Sequence, residues 1–167
     1  MRKEIFIEKT SKYISITSYL IGRLPVPNVE QIVTYLSSDV SNVEFGKAIR
    51  NKLSESREIS EEVFMHYWDN KSELKEFNEK EEKKIIEVYG YGNKRSLYKD
   101  TLFLSVSILN NKLIMTPLHQ DGLGSYGTVI EDGKGVDFEY PVTLLLSPEE
   151  LGKAVIDAFK HSTSIYK

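Results

Sequence analysis

The sequence predicts an α+β fold, a single domain over residues 1–167 with a mainly antiparallel sheet and amphipathic helices. Two observations carry the prediction. Several short stretches place apolar residues at every second position, which is the period of a half-buried strand. Between them lie stretches with a helical apolar stripe behind an explicit capping signal at Ser41 and at Ser147. With 167 residues, 40% of them hydrophobic, the chain can bury a core without staples. It contains no cysteine, which excludes disulfide frameworks, thiolate nucleophiles and cysteine-bearing zinc sites.

From the N-terminus, Ile5 and Ile7 and then Ile14 and Ile16 alternate with polar or aromatic residues and read as two strands. Pro25 and Pro27 break this pattern, because proline suits neither a helix interior nor a central strand. A short apolar stretch follows at Ile32 to Leu36. Ser41 and Glu44 then form a capping box, with Phe45, Ala48, Ile49 and Leu53 on one helical face. Ser60 with Glu61 and Glu62 starts a third helical segment, and Glu79 to Tyr89 is helical by composition until Gly90 and Gly92 stop it. Leu102 to Leu109 alternates again, Asn110-Asn111 makes a hairpin turn, and Lys112 to Thr116 returns. Strands are also expected at Thr128 to Ile130 and Phe138 to Leu146, before the helix that Ser147, Pro148 and Glu150 begin.

The two capped helices share more than their caps. Residues 41–56 and 147–162 align with identities at Ser41/Ser147, Glu44/Glu150, Gly46/Gly152, Lys47/Lys153, Ala48/Ala154 and Ser56/Ser162. A glycine inside a helix costs about 1 kcal/mol relative to alanine, so its small size should be needed. Close approach of each helix to a sheet, in a pseudo-repeated domain, is the expected reason.

Charge is unevenly distributed. The chain carries a net −3, but residues 55–88 alone hold 11 Asp/Glu against 6 Lys/Arg, a net −5, which leaves the remainder at +2. This run reads either as a solvated helix face or as a docking face for a basic partner. The overall balance argues against a duplex-DNA binder. No apolar run reaches the length of a membrane span, and Met1-Arg2-Lys3-Glu4 leads into alternating residues rather than a signal-peptide core, so a cytoplasmic location is expected.

Candidate sites are few. Gly122-Leu123-Gly124-Ser125-Tyr126-Gly127 spells a dinucleotide fingerprint, but β-branched Thr128-Val129-Ile130 follows where a helix would have to open, so a mobile loop between strands is the expected use. His66, His119 and His161 lack partners at ligand spacing. Asp121 near His119 could be half of an acid/base pair, yet no nucleophile or second carboxylate stands at a readable spacing. No catalytic residue, cofactor or metal ligand is therefore assigned. Tyr89, Tyr91 and Tyr98 interleave with Lys94, Arg95 and Lys99, a mixture that could stack on and neutralise single-stranded nucleic acid; a regulator of that kind is the alternative function.

The order of features resembles a known family. Phe45-Gly46-Lys47-Ala48-Ile49, then Leu53 and Ser56-Arg57, the stretch from Tyr89-Gly90-Tyr91-Gly92 to Lys99, Ile114-Met115-Thr116-Pro117, and Ser147 to Ala154 together resemble the CdiI-type immunity proteins of bacterial contact-dependent growth inhibition. The resemblance covers nearly the whole chain. One departure stands after the Pro117 strand, where members often carry a tryptophan and this chain reads Gly124-Ser125-Tyr126. The resemblance implies a non-enzymatic cytoplasmic inhibitor that binds the C-terminal toxin domain of a contact-delivered effector, many such toxins being basic nucleases. The acidic run then becomes a docking face, sampled by Glu73, Glu76 and Glu79. Tyr126 is the expected anchor on an irregular loop, with Asp121, Asp132 and Asp137 as nearby partners for toxin Lys or Arg.

Overall fold

The computed structural model describes residues 1–144 and 146–167. Its elements run β1 (Lys3–Lys9), β2 (Tyr13–Ile21), β3 (Pro25–Pro27), β4 (Thr34–Ser37), α1 (Asn42–Glu55), β5 (Arg57–Glu58), α2 (Glu61–Asp69), α3 (Lys71–Tyr89), α4 (Lys94–Lys99), β6 (Leu102–Leu109), β7 (Lys112–Gly122), β8 (Ser125–Thr128), β9 (Ile130–Glu131), β10 (Lys134–Gly135), β11 (Phe138–Pro141), α5 (Pro148–Phe159) and β12 (Thr163–Ser164). The main sheet follows the order β11-β7-β6-β1-β2-β3, with β4 and β5 on β2 and with β8 and β12 on β7; β9 and β10 form a separate ribbon. Pairing is antiparallel except for β5 on β2 and β12 on β7. The expected α+β class with a mainly antiparallel sheet is what the chain adopts.

Alternation along the central strands divides the sheet into two unlike faces. Ile5 and Ile7 of β1, Ile14 and Ile16 of β2, Leu104 and Val106 of β6, and Met115 of β7 point to one side and are fully buried. Helices α1 and α5 cover them with Phe45, Ile49 and Leu53 from one and Leu151, Val155, Ala158 and Phe159 from the other. The other side carries Glu4, Phe6 and Glu8 opposite Tyr19, Thr17 and Ser15, with Ser107, Ser105 and Phe103 across β1's second edge. Helices α3 and α4 cover only part of this face, where Tyr13, Ile85, Tyr91 and Leu97 form a smaller buried cluster.

The caps are the ones the sequence announces. Ser41, Ser60 and Ser147 each accept the backbone N–H of the third helical residue, and Glu150 returns a bond to the Ser147 N–H at 3.4 Å, closing its capping box. Of these three caps only that of Ser147 is reciprocal, so the box expected at Ser41 and Glu44 is closed from the serine side alone. Asn110 and Asn111 both take positive φ, 50° and 59°, as the hairpin turn requires. Gly90 ends α3 at φ 72°.

The shared glycines do a different job from the expected one. A β-carbon on Gly46 would stand 1.8 Å from the Pro148 carbonyl oxygen, and one on Gly152 would stand 2.0 Å from that of Asn42. The glycines therefore let α1 and α5 approach each other, each helix lodging the other's first turn, rather than letting either approach the sheet. The equivalence is confined to these two helices, and an internal repeat of the domain is not confirmed.

Other segments differ in extent. Helix α3 begins at Lys71 rather than near Glu79, because Leu74, Phe77, Glu81, Ile85 and Tyr89 keep an inner stripe through a stretch dense in charge. The expected strand Phe138 to Leu146 stops at Pro141, which ends the ladder on β7; Leu145 lies outside the described residues. Thr128 to Ile130 is divided between β8 and β9. Strand β3 contains both prolines and survives as a three-residue edge strand, the setting in which proline is tolerated.

Candidate functional site

The partly covered face holds a cavity of about 250 Å³ between the sheet and α3–α4. Its floor is built by strand register: Phe6 and Glu8 of β1 beside Ser15, Thr17 and Tyr19 of β2, with Phe103 of β6. Its walls are Tyr35 of β4, Glu81, Glu82 and Ile85 of α3, Lys94 and Tyr98 of α4, and Tyr126 of β8. The rings form a continuous aromatic lining, with centroids 4.3 Å apart for Phe6 and Tyr19, 5.6 Å for Phe6 and Tyr126, and 4.9 Å for Phe103 and Tyr126.

The carboxylates in this cavity differ in their partners. Glu81 accepts a hydrogen bond from the Tyr35 hydroxyl, and Glu82 accepts one from the Tyr98 hydroxyl at 2.7 Å with the Lys94 ammonium 3.9 Å away. Among the described residues, Glu8 has only the Ser15 hydroxyl, at 3.5 Å. Burial pushes the Glu8 carboxyl up to about 7; the Ser15 bond opposes the rise and the Glu82 charge adds to it. Burial likewise raises Glu4 on the same strand, with Arg2 opposing, and pushes the Tyr126 hydroxyl up to about 12. Tyr19, Tyr35 and Tyr98 are raised for the same leading reason. These phenols stay protonated near neutrality and are able to donate. The site combines flat apolar faces, neutral hydroxyls and carboxylates, which is chemistry for holding a cation rather than for attacking a bond.

The glycine-rich segment closes one end of the cavity. It forms the tip of the β7–β8 hairpin, so the expected mobile loop is instead an ordered turn between paired strands. Gly124 takes φ 74° with its α-carbon against Tyr98, where a β-carbon would stand 3.1 Å from the ring. The fully buried Gln120 fixes this arrangement. Its Nε2 donates to the Tyr98 carbonyl at 2.8 Å, the Thr101 carbonyl at 3.2 Å and the Ser164 hydroxyl at 3.1 Å, and its Oε1 accepts from the Gly124 N–H at 3.2 Å.

The family model for the CDI immunity protein matches residues 3–162. The chain belongs to the CDI immunity protein family. Two solved structures share the fold of this CDI immunity protein at low sequence identity. One is a protein of unknown function from Neisseria meningitidis, 17% identical, with 97% of this chain and 96% of that one covered at a TM-score of 0.85. The other is described as a CdiA-CT/CdiI toxin and immunity complex from Yersinia pseudotuberculosis, 18% identical, with coverage of 97% and 98% and a TM-score of 0.84. No protein in the curated set matches significantly.

The residues singled out in the sequence of this CDI immunity protein fall in separate places. Tyr126 lies on strand β8 rather than on an irregular loop, and its ring packs between Phe6 and Phe103 in the cavity. Asp121 is exposed at the end of β7, Asp132 sits at the β9–β10 turn with φ 51°, and Asp137 accepts a 2.7 Å bond from Thr116. Glu73, Glu76 and Glu79 line the outer side of α3; Glu73 lies 3.4 Å from the His66 ring and Glu79 lies 3.8 Å from Lys75. The acidic helix and Tyr126 line one cavity, the helix through Glu81 and Glu82 on the inner side of α3.

The aromatic-basic cluster is not an open stacking platform. Tyr89 stacks on Tyr13 at 4.6 Å, Tyr91 is buried with its hydroxyl donating to Asp100 at 2.7 Å, and Tyr98 is a cavity wall. Rings packed in this way have no free face for successive bases, which removes the basis for the alternative single-stranded nucleic-acid reading. The remaining histidines also have local partners: His119 Nδ1 lies 2.8 Å from the Thr163 hydroxyl and His161 Nδ1 lies 3.3 Å from Glu131. Missed from the sequence was Glu8. Its signal was present, a carboxylate on the non-isoleucine side of β1, but nothing local shows that this side is roofed.

Proposed function

We propose that this protein neutralises, by binding and without turnover, the cognate C-terminal toxin domain of a contact-dependent growth inhibition effector, in the cytoplasm of the cell that makes both. The observation that carries the reading is the family match over residues 3–162. A neighbour in fold described as a toxin and immunity complex supports it.

The toxin in this reading is a basic nuclease. The net −5 of residues 55–88 supports that choice, since a negative face steers and docks a protein whose own task is to hold a polyanion. Glu73, Glu76 and Glu79 serve as outer steering charges, while Tyr126, Asp121, Asp132 and Asp137 supply contacts nearer the sheet edge. The test is co-expression with the C-terminal domain encoded immediately upstream. Survival of the cells, a stable complex of the two purified proteins and arrest of RNA or DNA cleavage on mixing are expected. Cell death together with failure to form a complex overturns the reading, and a toxin domain that cleaves neither nucleic acid overturns its nuclease part.

A further inference from the structure

We propose that the cavity between the sheet and α3–α4 is a receptor for one guanidinium group, an arginine side chain that the toxin lays against the aromatic lining beside the Glu8 carboxylate. The toxin as its source rests on the proposed function, whereas the chemistry of the cavity stands on its own geometry.

Two features of the cavity point to a cation from outside. Among the described residues, no lysine, arginine or histidine forms an ion pair with Glu8, and its sole hydrogen-bond partner is a hydroxyl at 3.5 Å. Lys94, the one cation in the lining, is held at Glu82. A carboxylate withdrawn from water is costly without a counter-charge, and no cation among the described residues pairs with this one. Finally, the aromatic rings of Phe6, Phe103 and Tyr126 line the same cavity as the Glu8 carboxylate.

That last feature selects arginine over lysine. A guanidinium is planar, stacks on aromatic faces, is weakly hydrated and directs its N–H fork at a carboxylate, whereas an ammonium is a compact and strongly hydrated charge. Arginine is also the cation most common among interface hot spots.

The probe is Nα-acetyl-arginine amide, titrated into isotopically labelled full-length protein with backbone amide shifts recorded by NMR. Saturable shifts are expected at Phe6, Glu8, Ser15, Thr17 and Tyr126, with the neutral citrulline analogue at least about tenfold weaker and the lysine analogue intermediate. Glu8→Gln keeps the shape and removes the charge, so it should abolish the preference for arginine over citrulline while the protein remains folded. Absence of saturable shifts in this region, or equal affinity for arginine and citrulline, overturns the cavity assignment. Should Glu8→Gln disturb folding, Tyr126→Leu tests the same stacking surface and should weaken the arginine probe. With the purified upstream-encoded toxin domain, Glu8→Gln should dissociate at least about tenfold faster than wild type. An unchanged toxin affinity overturns the toxin as the source of the guanidinium and leaves the proposed function standing. Failure of wild type to bind that toxin domain counts against the proposed function, while the amide titration still decides the cavity.

Discussion

The two faces of the central sheet are made by the same strands yet serve opposite ends. On the α1–α5 side, Ile5, Ile7, Ile14, Ile16, Leu104 and Val106 are sealed completely and contribute hydrophobic stability. On the α3–α4 side, their immediate neighbours are Glu4, Phe6, Glu8, Ser15, Thr17, Phe103 and Ser105, roofed over only part of their length. The centre of one face is sealed, its cavity confined to the end beside Leu53, Ile108, Leu113 and Leu151, whereas the other keeps its cavity over a carboxylate that desolvation opposes. A single period-two pattern therefore writes a sealed apolar surface and a partly covered surface of carboxylates, hydroxyls and rings at once, because successive side chains leave a strand in opposite directions.

The largest effect that should break this contrast is a cavity in the sealed face. Ile7→Ala is expected to cost about 2–5 kcal/mol in chemical denaturation. Ser15→Ala, on the other face of the adjoining strand, should stay well below that. Comparable losses at both positions would mean that the two faces are packed alike.

Next is Gly46→Ala. Helix propensity alone would make this variant more stable by about 1 kcal/mol. The Pro148 carbonyl oxygen only 1.8 Å from the new β-carbon makes overpacking dominant, so a net loss of about 1–3 kcal/mol is expected, read as a lower thermal midpoint. Gly152→Ala should behave alike against Asn42. An increase in stability at either position would show that the interlock of α1 and α5 is not tight.

Sharpening the comparison from the partly covered side, Glu8 makes stability depend on pH. Its folded-state carboxyl titrates at about 7 against an ordinary 4.5, so the folded protein holds the proton more tightly. The associated stability is fully present below about pH 4.5 and is lost as pH rises through 7, an effect of order 1–3 kcal/mol. Glu8→Gln cannot ionise and should therefore be more stable than wild type at pH 8, with the gap closing towards pH 5. A gap that does not change between these pH values would show that Glu8 is solvated.

The smallest effect on stability belongs to Glu73, Glu76 and Glu79 replaced together by Lys on the outer side of α3. Folding stability should change by less than about 0.5 kcal/mol per site. In stopped-flow association with the upstream-encoded toxin domain, the variant should bind more slowly at low salt and show a shallower salt dependence than wild type. Equal on-rates and salt slopes would make the acidic exterior merely solvated, leaving recognition to the cavity.

Local chemistry was legible in the sequence wherever one residue and its near neighbours decide the outcome. Serine caps at 41, 60 and 147, the Asn110-Asn111 turn and the alternation of β1, β2 and β6 all belong to this class. Helix α4 went unread because six residues are too few for a periodic stripe, and its Asn93–Ser96 capping box was hidden among tyrosines and lysines. Of the cavity, Tyr126 was legible as an aromatic in an unusual segment; Glu8, Glu81 and Glu82 were not distinguishable from other surface carboxylates.

By itself the sequence determined the class of the fold, the positions of the main strands and helix starts, the uneven distribution of charge and, through the order of its motifs, the family. These depend on period, cap and composition, which act over a few residues. Only the tertiary structure decided that Gly46 and Gly152 serve each other's helices, that the glycine hairpin is pinned to Tyr98 through Gln120, and that Glu8 shares a cavity with α3. The reason is physical. Desolvation and close approach are properties of what arrives from elsewhere in the chain: Glu8 and Glu82 are 74 residues apart, and no local pattern records that they share one cavity.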